Sequence, residues 1–340
     1  MARYFPKIFK NEKLCSRLAE EIQGNRFPHA YIIAGKKGSG KRTIALEIAA
    51  ALACKSRDAF PCGICDTCEK IIGGHSPDVI YIRKEAEKKE FTVNLIREIR
   101  DSLYIAPNEL EKRVYILEDV ETMNANAQNA FLKMLEEPPS YVVFLLLCSN
   151  TENLLDTIKS RAPILYTEQI SPEDIKEYLL ENSQKAKEIN ESTPEKLRSI
   201  AISAEGSIGY ALSLCEENDE HLSLQTTVKD FLSAWIAPSM AELAMFCDRL
   251  PGNAQAMNTF LAALKKALRD IAVYSRTCDC DLLFFASTDE IEDFAARITT
   301  KKALLLISSA DALEEKIKFN LDMRLAATTF CADARKINTK

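Results

Sequence analysis

Short apolar runs alternate with amphipathic segments through the first half of the chain. The runs that predict buried strands cover residues 30–34, 78–82, 113–117 and 141–147. Apolar residues at helical spacing lie between them, as in the segment from Val93 to Tyr104. Strands that alternate with helices predict a parallel sheet with helices on both faces, and such folds bind ligands at the carboxyl ends of the strands.

The second half of the chain has a different pattern. Ser171-Pro172-Glu173-Asp174 is a strong helix start, with a capping serine, a proline in the first turn and acids that face the helix dipole. A small helical domain is expected from this point to about Leu214. From about His221 onward nearly every segment favours helix, so the predicted fold class is α/β followed by all-α.

A glycine-rich segment follows the first predicted strand and precedes a helical one. Gly35, Gly38, Gly40 and Lys41 fit the phosphate-binding pattern G-x-x-x-x-G-K. Backbone N–H groups at a helix N-terminus attract phosphate, and Lys41 adds a point charge. Arg42 stands where the pattern asks for a serine or threonine hydroxyl that binds magnesium, and arginine has no such oxygen. The segment therefore favours phosphate binding and disfavours magnesium-dependent ATP hydrolysis; the alternative is a chance glycine-rich turn.

An acidic pair, Glu118-Asp119, directly follows the predicted strand at 113–117. In P-loop NTPases the order at this place is Asp then Glu, with the Asp on magnesium and the Glu on the attacking water. Here the order is reversed, which would displace both carboxylates, and a misplacement of about 1 Å can cost roughly 100-fold in rate. For catalysis we favour the simpler interpretation, a solvated strand end.

Four of the eleven cysteines are clustered in the sequence. Cys54, Cys62, Cys65 and Cys68 are spaced C-x7-C-x2-C-x2-C, which is typical of a structural zinc site with four thiolate ligands. A catalytic zinc is disfavoured because four thiolates leave no open position. The alternatives are an iron–sulfur cluster and four cysteines without a ligand.

Composition narrows the class of protein. A chain of 340 residues, 47% hydrophobic and 28% charged, is typical of a soluble protein with two or three domains. The longest apolar run covers eight residues, 141–148, too few to span a membrane, and we expect a cytoplasmic protein. The net charge of −6 argues against strong binding to DNA by this chain alone.

Several segments together resemble the bacterial DNA polymerase III clamp-loader branch of the AAA+ ATPases. The most discriminating is 126–139, N-A-Q-N-A-F-L-K-M-L-E-E-P-P, which is similar to the family's N-A-L-L-K-T-L-E-E-P-P. The others are 26–31, the four-cysteine insertion, 157–162 (T-I-K-S-R-A against T-I-x-S-R-C), 206–212, and the collar-like 320–325.

The resemblance implies a domain order and a set of partners. An AAA+ P-loop domain would cover 1–170 with a zinc knuckle at 54–75, a helical lid domain 171–218, and a helical collar domain 219–340. The implied partners are the gamma/tau motor subunits and the delta subunit of the loader, and through them the sliding clamp and primed DNA. No membrane partner is implied.

Within the family, ATP-hydrolysing motor subunits differ from a stator subunit. Arg42, the reversed Glu118-Asp119 pair, and Gly209 in place of a sensor arginine all favour the stator, as does a chain that stops soon after the collar-like segment. The resemblance implies that Arg161 acts as an arginine finger in the ATP site of a neighbouring motor. The alternatives are a gamma/tau-type subunit with an active ATPase and a zinc-containing DNA-binding repair protein.

Overall fold

The chain forms two compact units. The computed structural model describes residues 4–56, 59–84, 91, 93–216, 219–238, 240–277, 282–285, 288–317 and 322–339. The first unit is Met1–Ile170 with Ser207–Gly209, and the second is Ser171–Gly206 with Tyr210–Lys340. The division into three domains at 170 and 218 stays a prediction, and residues 217–218 lie outside the described ranges.

The first unit is a parallel sheet with helices on both faces, as predicted. Its strands are β1 Ala30–Ala34, β2 Val79–Ile82, β3 Arg113–Leu117, β4 Val142–Cys148 and β5 Ile164–Tyr166. Its helices are α1 Glu12–Gln23, α2 Lys41–Ala53, α3 Asp66–Ile72, α4 Val93–Ser102, α5 Ala125–Glu136 and α6 Asp156–Lys159, with a 3-10 helix over Val120–Thr122.

The strands lie in the order β2-β3-β4-β1-β5, and every pairing is parallel. Alternate residues of a strand enter different cores. In β1, Tyr31 and Ile33 pack with α1 and α2, whereas Ile32 packs on the opposite face with α4 and α5. The apolar runs predicted four of the strands; β5, with three residues, was not predicted. This arrangement brings the carboxyl ends of β1, β3 and β4 to one edge of the sheet.

Two helix ends in this unit follow from local chemistry. The predicted helix from Val93 to Tyr104 ends earlier, at Ser102, where the Ser102 hydroxyl donates to the Ile99 carbonyl. Helix α5 ends at Glu136, just before two prolines that cannot continue a helix.

The second unit is helical. Its helices are α7 Pro172–Asn182, α8 Gln184–Ser192, α9 Pro194–Ser203, α10 Ile208–Cys215 (the first two residues belong to the first unit), α11 Asp219–Ile236, α12 Met240–Phe246, α13 Ala254–Thr277, α14 Thr288–Arg297, α15 Thr300–Ile317 and α16 Met323–Thr339. The predicted helix start is confirmed, because the Ser171 hydroxyl accepts the Asp174 N–H at 3.1 Å. Asn320 and Leu321 of the collar-like segment lie outside the described residues.

Aromatic residues from distant helices form the core of the second unit. Phe231 of α11 stacks on Phe330 of α16 with ring centroids 5.8 Å apart. The indole N–H of Trp235 donates to the Ala334 carbonyl at 2.7 Å. Both aromatic side chains of α11 are fully buried, so the apolar stripe predicted there is core packing. No helix within the described ranges is long and apolar enough to cross a membrane.

Candidate functional site

The glycine loop joins the end of β1 to the start of α2, as the pattern predicted. Gly38 and Gly40 have φ angles of 78° and 84°, a left-handed conformation that glycine adopts at little cost. Gly35 is required for another reason. A methyl group there would overlap the Thr167 hydroxyl and come within 2.7 Å of the Ser39 hydroxyl. The loop is therefore closely packed against its own unit.

The loop lysine is bound to the loop itself. Lys41 Nζ donates to the carbonyl of Gly35 at 2.5 Å and to the carbonyl of Lys36 at 2.8 Å. Burial lowers the pKa of Lys41, while the negative charge of Glu121, the largest opposing effect, raises it. The acidic side chains that follow β3 therefore counteract the effect of burial on this pKa.

Arg42, at the position of the magnesium-binding hydroxyl, packs on a tyrosine of β2. Its guanidinium carbon lies 4.5 Å from the centre of the Tyr81 ring, and that of Arg83 lies 5.2 Å from the same ring. The phenol of Tyr81 donates to Glu118 Oε2 at 2.7 Å. Burial, and then this hydrogen bond, raise the pKa of Tyr81. A cation, a ring and a carboxylate thus form one continuous chain of contacts.

The second residue of the acidic pair has a different environment. Asp119 has a φ of 56° and precedes the 3-10 helix, and its carboxylate lies 4.0 Å from Lys84 Nζ. The carboxyls of Glu118 and Asp119 are therefore held by different partners.

Glu121 is a site residue that the sequence analysis did not single out. Its Oε1 accepts the N–H of Ser149 at 2.9 Å, which connects the segment after β3 to the end of β4. It also contributes the largest acidic effect on the Lys41 pKa. Its position three residues after Glu118 could have indicated a role at this site. The contact with Ser149, however, depends on β3 and β4 being neighbours, and the sequence does not give the strand order.

Gly209 lies against the glycine loop. Its N–H donates to the Gly38 carbonyl at 3.1 Å, and a methyl group at this position would come within 3.2 Å of Gly38 Cα. Both residues belong to the first unit. A side chain at position 209 would therefore crowd the loop.

The four clustered cysteines come together as a possible metal site. The Sγ atoms of Cys54, Cys62, Cys65 and Cys68 all lie within 4.8 Å of one another. The Cys62 and Cys68 sulfurs are 4.0 Å apart, close to the separation of about 3.8 Å that follows from tetrahedral Zn–S bonds of about 2.3 Å.

The environment favours the thiolate form of Cys62, whereas burial raises the pKa of Cys54 and Cys68. Hydrogen bonds from the backbone, first from Ile64, lower the pKa of Cys62 to about 7. The Cys62 N–H in turn donates to Cys54 Sγ at 3.4 Å. The donor set fits a metal that prefers four sulfur ligands. Residues 57–58 of the predicted 54–75 module lie outside the described ranges.

Arg161 follows α6 in the chain, and its contacts within the described part of the chain are not with the residues of the glycine loop or of the acidic pair. Its Nη1 donates to the Thr157 carbonyl at 3.1 Å, and its Nη2 lies 2.9 Å from Glu136 Oε1. The next residue, Ala162, is fully buried, which fixes the backbone beside the arginine.

Parts of the chain are similar to known proteins. A family model described as DNA polymerase III, delta subunit matches residues 10–171. The DNA polymerase III subunit tau of Escherichia coli is 34% identical over 217 residues, which are 63% of this chain and 32% of that protein. The DNA polymerase III subunit delta' of Bacillus subtilis is 33% identical over 164 residues, 48% of this chain and 49% of that protein.

A solved structure has the same fold. The crystal structure of a DNA polymerase III gamma subunit-related protein from Thermotoga maritima matches with a TM-score of 0.53 at 19% identity, covering 96% of this chain and 99% of that one. The parallel sheet and the glycine loop between β1 and α2 define a P-loop α/β domain. Over the matched residues the chain is similar to bacterial DNA polymerase III subunits. It spans about a third of the length of the E. coli relative and about half of the B. subtilis one.

Proposed function

We propose that this chain is a delta-prime-type subunit of the bacterial DNA polymerase III clamp loader, a stator that helps to load the sliding clamp onto primed DNA during replication. In this proposal it does not hydrolyse ATP but supplies Arg161 to the ATP site of a neighbouring motor subunit. The observation that carries the first part is the contact chain Arg42–Tyr81–Glu118.

This contact chain is unfavourable for hydrolysis. Where a P-loop enzyme has a magnesium-binding hydroxyl, Arg42 places a fixed cation, which repels a divalent ion. Glu118, the acid that ends β3, accepts a hydrogen bond from Tyr81. A carboxylate engaged in this way is less available to bind magnesium or to orient water. Lys41, which would contact phosphate, is occupied by two loop carbonyls.

Arg161 has the chemistry required of an arginine finger. Its guanidinium is permanently charged and planar, which suits a γ-phosphate, and 37% of its side chain is exposed. An arginine supplied by a neighbouring protein can accelerate phosphoryl transfer by about 10³ to 10⁵.

The remaining elements of the proposal concern structure and partners. The four clustered cysteines would bind one structural zinc ion, which stabilises the connection between α2 and α3. The helices of the second unit would form the lid and collar, and the collar would join the gamma/tau and delta subunits in the cytoplasm. With a net charge of −6, the chain would reach primed DNA through the complex.

A gamma/tau-type subunit with an active ATPase is the second candidate. It is favoured by the 34% identity to the E. coli tau subunit over 63% of this chain. Against it stand the contacts of Arg42 and Glu118. The similarity to DNA polymerase III subunits favours both clamp-loader interpretations over the third alternative, a DNA-binding repair protein.

Reconstitution tests the proposal. The purified chain is first assayed alone for ATP hydrolysis and is expected to show none above background. It is then assembled with delta and with motor subunits whose own S-R-C arginine is replaced by alanine, so that Arg161 is the sole finger. Single-turnover ATP hydrolysis by this loader should fall by about 10³ with Arg161→Ala. Arg97→Ala, a change at another arginine of the same unit, should leave it unchanged.

Two outcomes would contradict the proposal. Hydrolysis by the purified chain at the rate of a motor subunit would favour the gamma/tau alternative. Equal single-turnover rates for Arg161→Ala and the unchanged chain would overturn the finger assignment.

A further inference from the structure

Arg161 is held from two sides within its own unit. Its Nη1 donates to the Thr157 carbonyl in α6, and its Nη2 forms a 2.9 Å ion pair with Glu136, the last residue of α5. The side chains of Arg161 and Glu136 are 37% and 50% exposed, so the pair lies at the surface.

Both ends of this contact are fixed by buried neighbours. Leu135, which precedes Glu136, is 1% exposed, and Ala162, which follows Arg161, is 0% exposed. The two belong to the same hydrophobic core cluster, together with Ile158 of α6. The carboxylate and the guanidinium are therefore attached to backbone that cannot easily shift.

We propose that Glu136 is a positioning residue for Arg161, and that it holds the guanidinium by one edge while the other N–H groups stay available to the phosphate of a neighbouring ATP site. The inference rests on the proposed function, because it assumes that Arg161 acts in a neighbouring subunit. The inference gives the first glutamate of the E-E-P-P segment, at the end of α5, a role in the chemistry of that site.

The geometry favours positioning over sequestration. A guanidinium has five N–H donors, and within the described residues Arg161 uses one for Thr157 and one for Glu136. The pair need not break when a phosphate binds. An exposed ion pair of this kind is also a weak interaction in water, so it could not keep an arginine from a phosphate. It can, however, restrict a long flexible side chain, and small misplacements of a catalytic group cost up to roughly 100-fold in rate.

The experiment uses the loader in which Arg161 is the sole arginine finger and measures single-turnover ATP hydrolysis as a function of ATP concentration. Glu136→Ala should lower the rate at saturating ATP about 10-fold and change the concentration for half-saturation by less than about 2-fold, because orientation affects the chemical step. Glu136→Gln should recover most of this loss, since its amide oxygen still accepts from Nη2. Glu137→Ala, at the adjacent exposed glutamate, is the matched control and should react like the unchanged chain.

The outcomes distinguish positioning by Glu136 from the assignment of Arg161 as an arginine finger. A Glu136→Ala rate equal to or above that of the unchanged chain, with Arg161→Ala inactive, would overturn positioning by Glu136 and leave the finger assignment intact. Equal losses for Glu136→Ala and Glu137→Ala would also overturn it, because the effect would then not depend on the ion pair. If Arg161→Ala itself reacts normally, the proposed function fails. Co-purification of every variant with the loader, in equal amounts, shows that assembly is unchanged.

Discussion

The guanidinium carbon of Arg42 lies 4.5 Å from the centre of the Tyr81 ring, and the phenol of this tyrosine donates a 2.7 Å hydrogen bond to Glu118. Two departures from the P-loop pattern, one in the glycine loop and one at the end of β3, are therefore joined by a residue of β2. Because they are joined, repairing one of them should not restore the function of the other.

Arg42→Thr tests this connection. The variant regains a hydroxyl at the magnesium position, but Glu118 still has its tyrosine partner and the acidic order is still reversed. We expect the purified variant to release phosphate from Mg-ATP no faster than the unchanged chain.

The background for this assay is Lys41→Ala/Arg42→Thr, which removes the loop lysine as well. Release of phosphate by the Arg42→Thr variant at the rate of a motor subunit, well above the rate of the double variant, would contradict the prediction. In that case Arg42 alone would prevent ATP hydrolysis.

The sequence predicted those parts of the site that follow from local pattern. The glycine loop depends on one strand, one turn and one helix in succession, and the cysteine cluster depends on short spacings. Both could be recognised without a structure. Ser171 likewise caps α7 through a bond to a residue only three positions away.

The contacts between distant segments could not be predicted in the same way. Tyr81 reaches Glu118 because β2 and β3 are neighbours in register, with Ile82 paired to Leu117. That pairing depends on the strand order, which a single sequence does not give. The contact between Glu136 and Arg161 is of the same kind, since these two residues are 25 positions apart in the chain.

The cysteine cluster predicts a measurable zinc content. Native mass spectrometry of the purified chain should show one zinc ion, and Cys68→Ser should remove it, because Cys68 is fully buried between the other thiols. Loss of the ion should destabilise the α2–α3 connection, since a structural zinc can contribute about 10 kcal/mol to the folding of its ligand loop.

Cys15→Ser, a change at a cysteine outside the cluster, is the control and should retain the zinc. Bound iron in place of zinc would instead support the iron–sulfur alternative. Absence of any metal from protein purified without chelators would contradict both.

Asp78 should make stability depend on pH in the acid range. Its carboxylate accepts the N–H groups of Asn108, Glu109 and Leu110 at 2.7 to 2.9 Å. Burial alone would raise the pKa of Asp78, but these hydrogen bonds bring the pKa below its ordinary value. The folded state thus favours the charged form. Its stabilisation is fully present above the unfolded pKa of about 3.9 and is lost as the pH falls through the lower folded value.

Asp78→Asn should accordingly cost about 2 kcal/mol at pH 7, where the charged acceptor is lost, and less at pH 3. Urea unfolding followed by circular dichroism at both pH values measures the difference. Asp101→Asn, at an exposed aspartate of the same unit, should change the free energy of unfolding by less than about 0.5 kcal/mol at pH 7. An Asp78→Asn effect that grows as the pH falls would contradict the assigned direction.

Asp270 should be the corresponding anchor of the helical unit. It is 0% exposed on α13, and its Oδ2 accepts the backbone N–H groups of Leu283 and Phe284 at 2.9 and 2.8 Å. In Asp270→Asn one carboxylate oxygen becomes an amide NH₂, which weakens the acceptor and can leave a buried N–H without a partner. The expected loss is about 2 to 3 kcal/mol.

The chain's single tryptophan reports on this loss, because Trp235 is buried in the same unit and bonded to Ala334. Urea unfolding followed by tryptophan fluorescence should show a lower midpoint for Asp270→Asn. Asp311→Asn, which removes a 58% exposed partner of Lys265, should leave the midpoint unchanged, since exposed ion pairs contribute little. Equal midpoints for Asp270→Asn and the unchanged chain would contradict this prediction, because the N–H groups of Leu283 and Phe284 would then not need the Asp270 carboxylate as their acceptor.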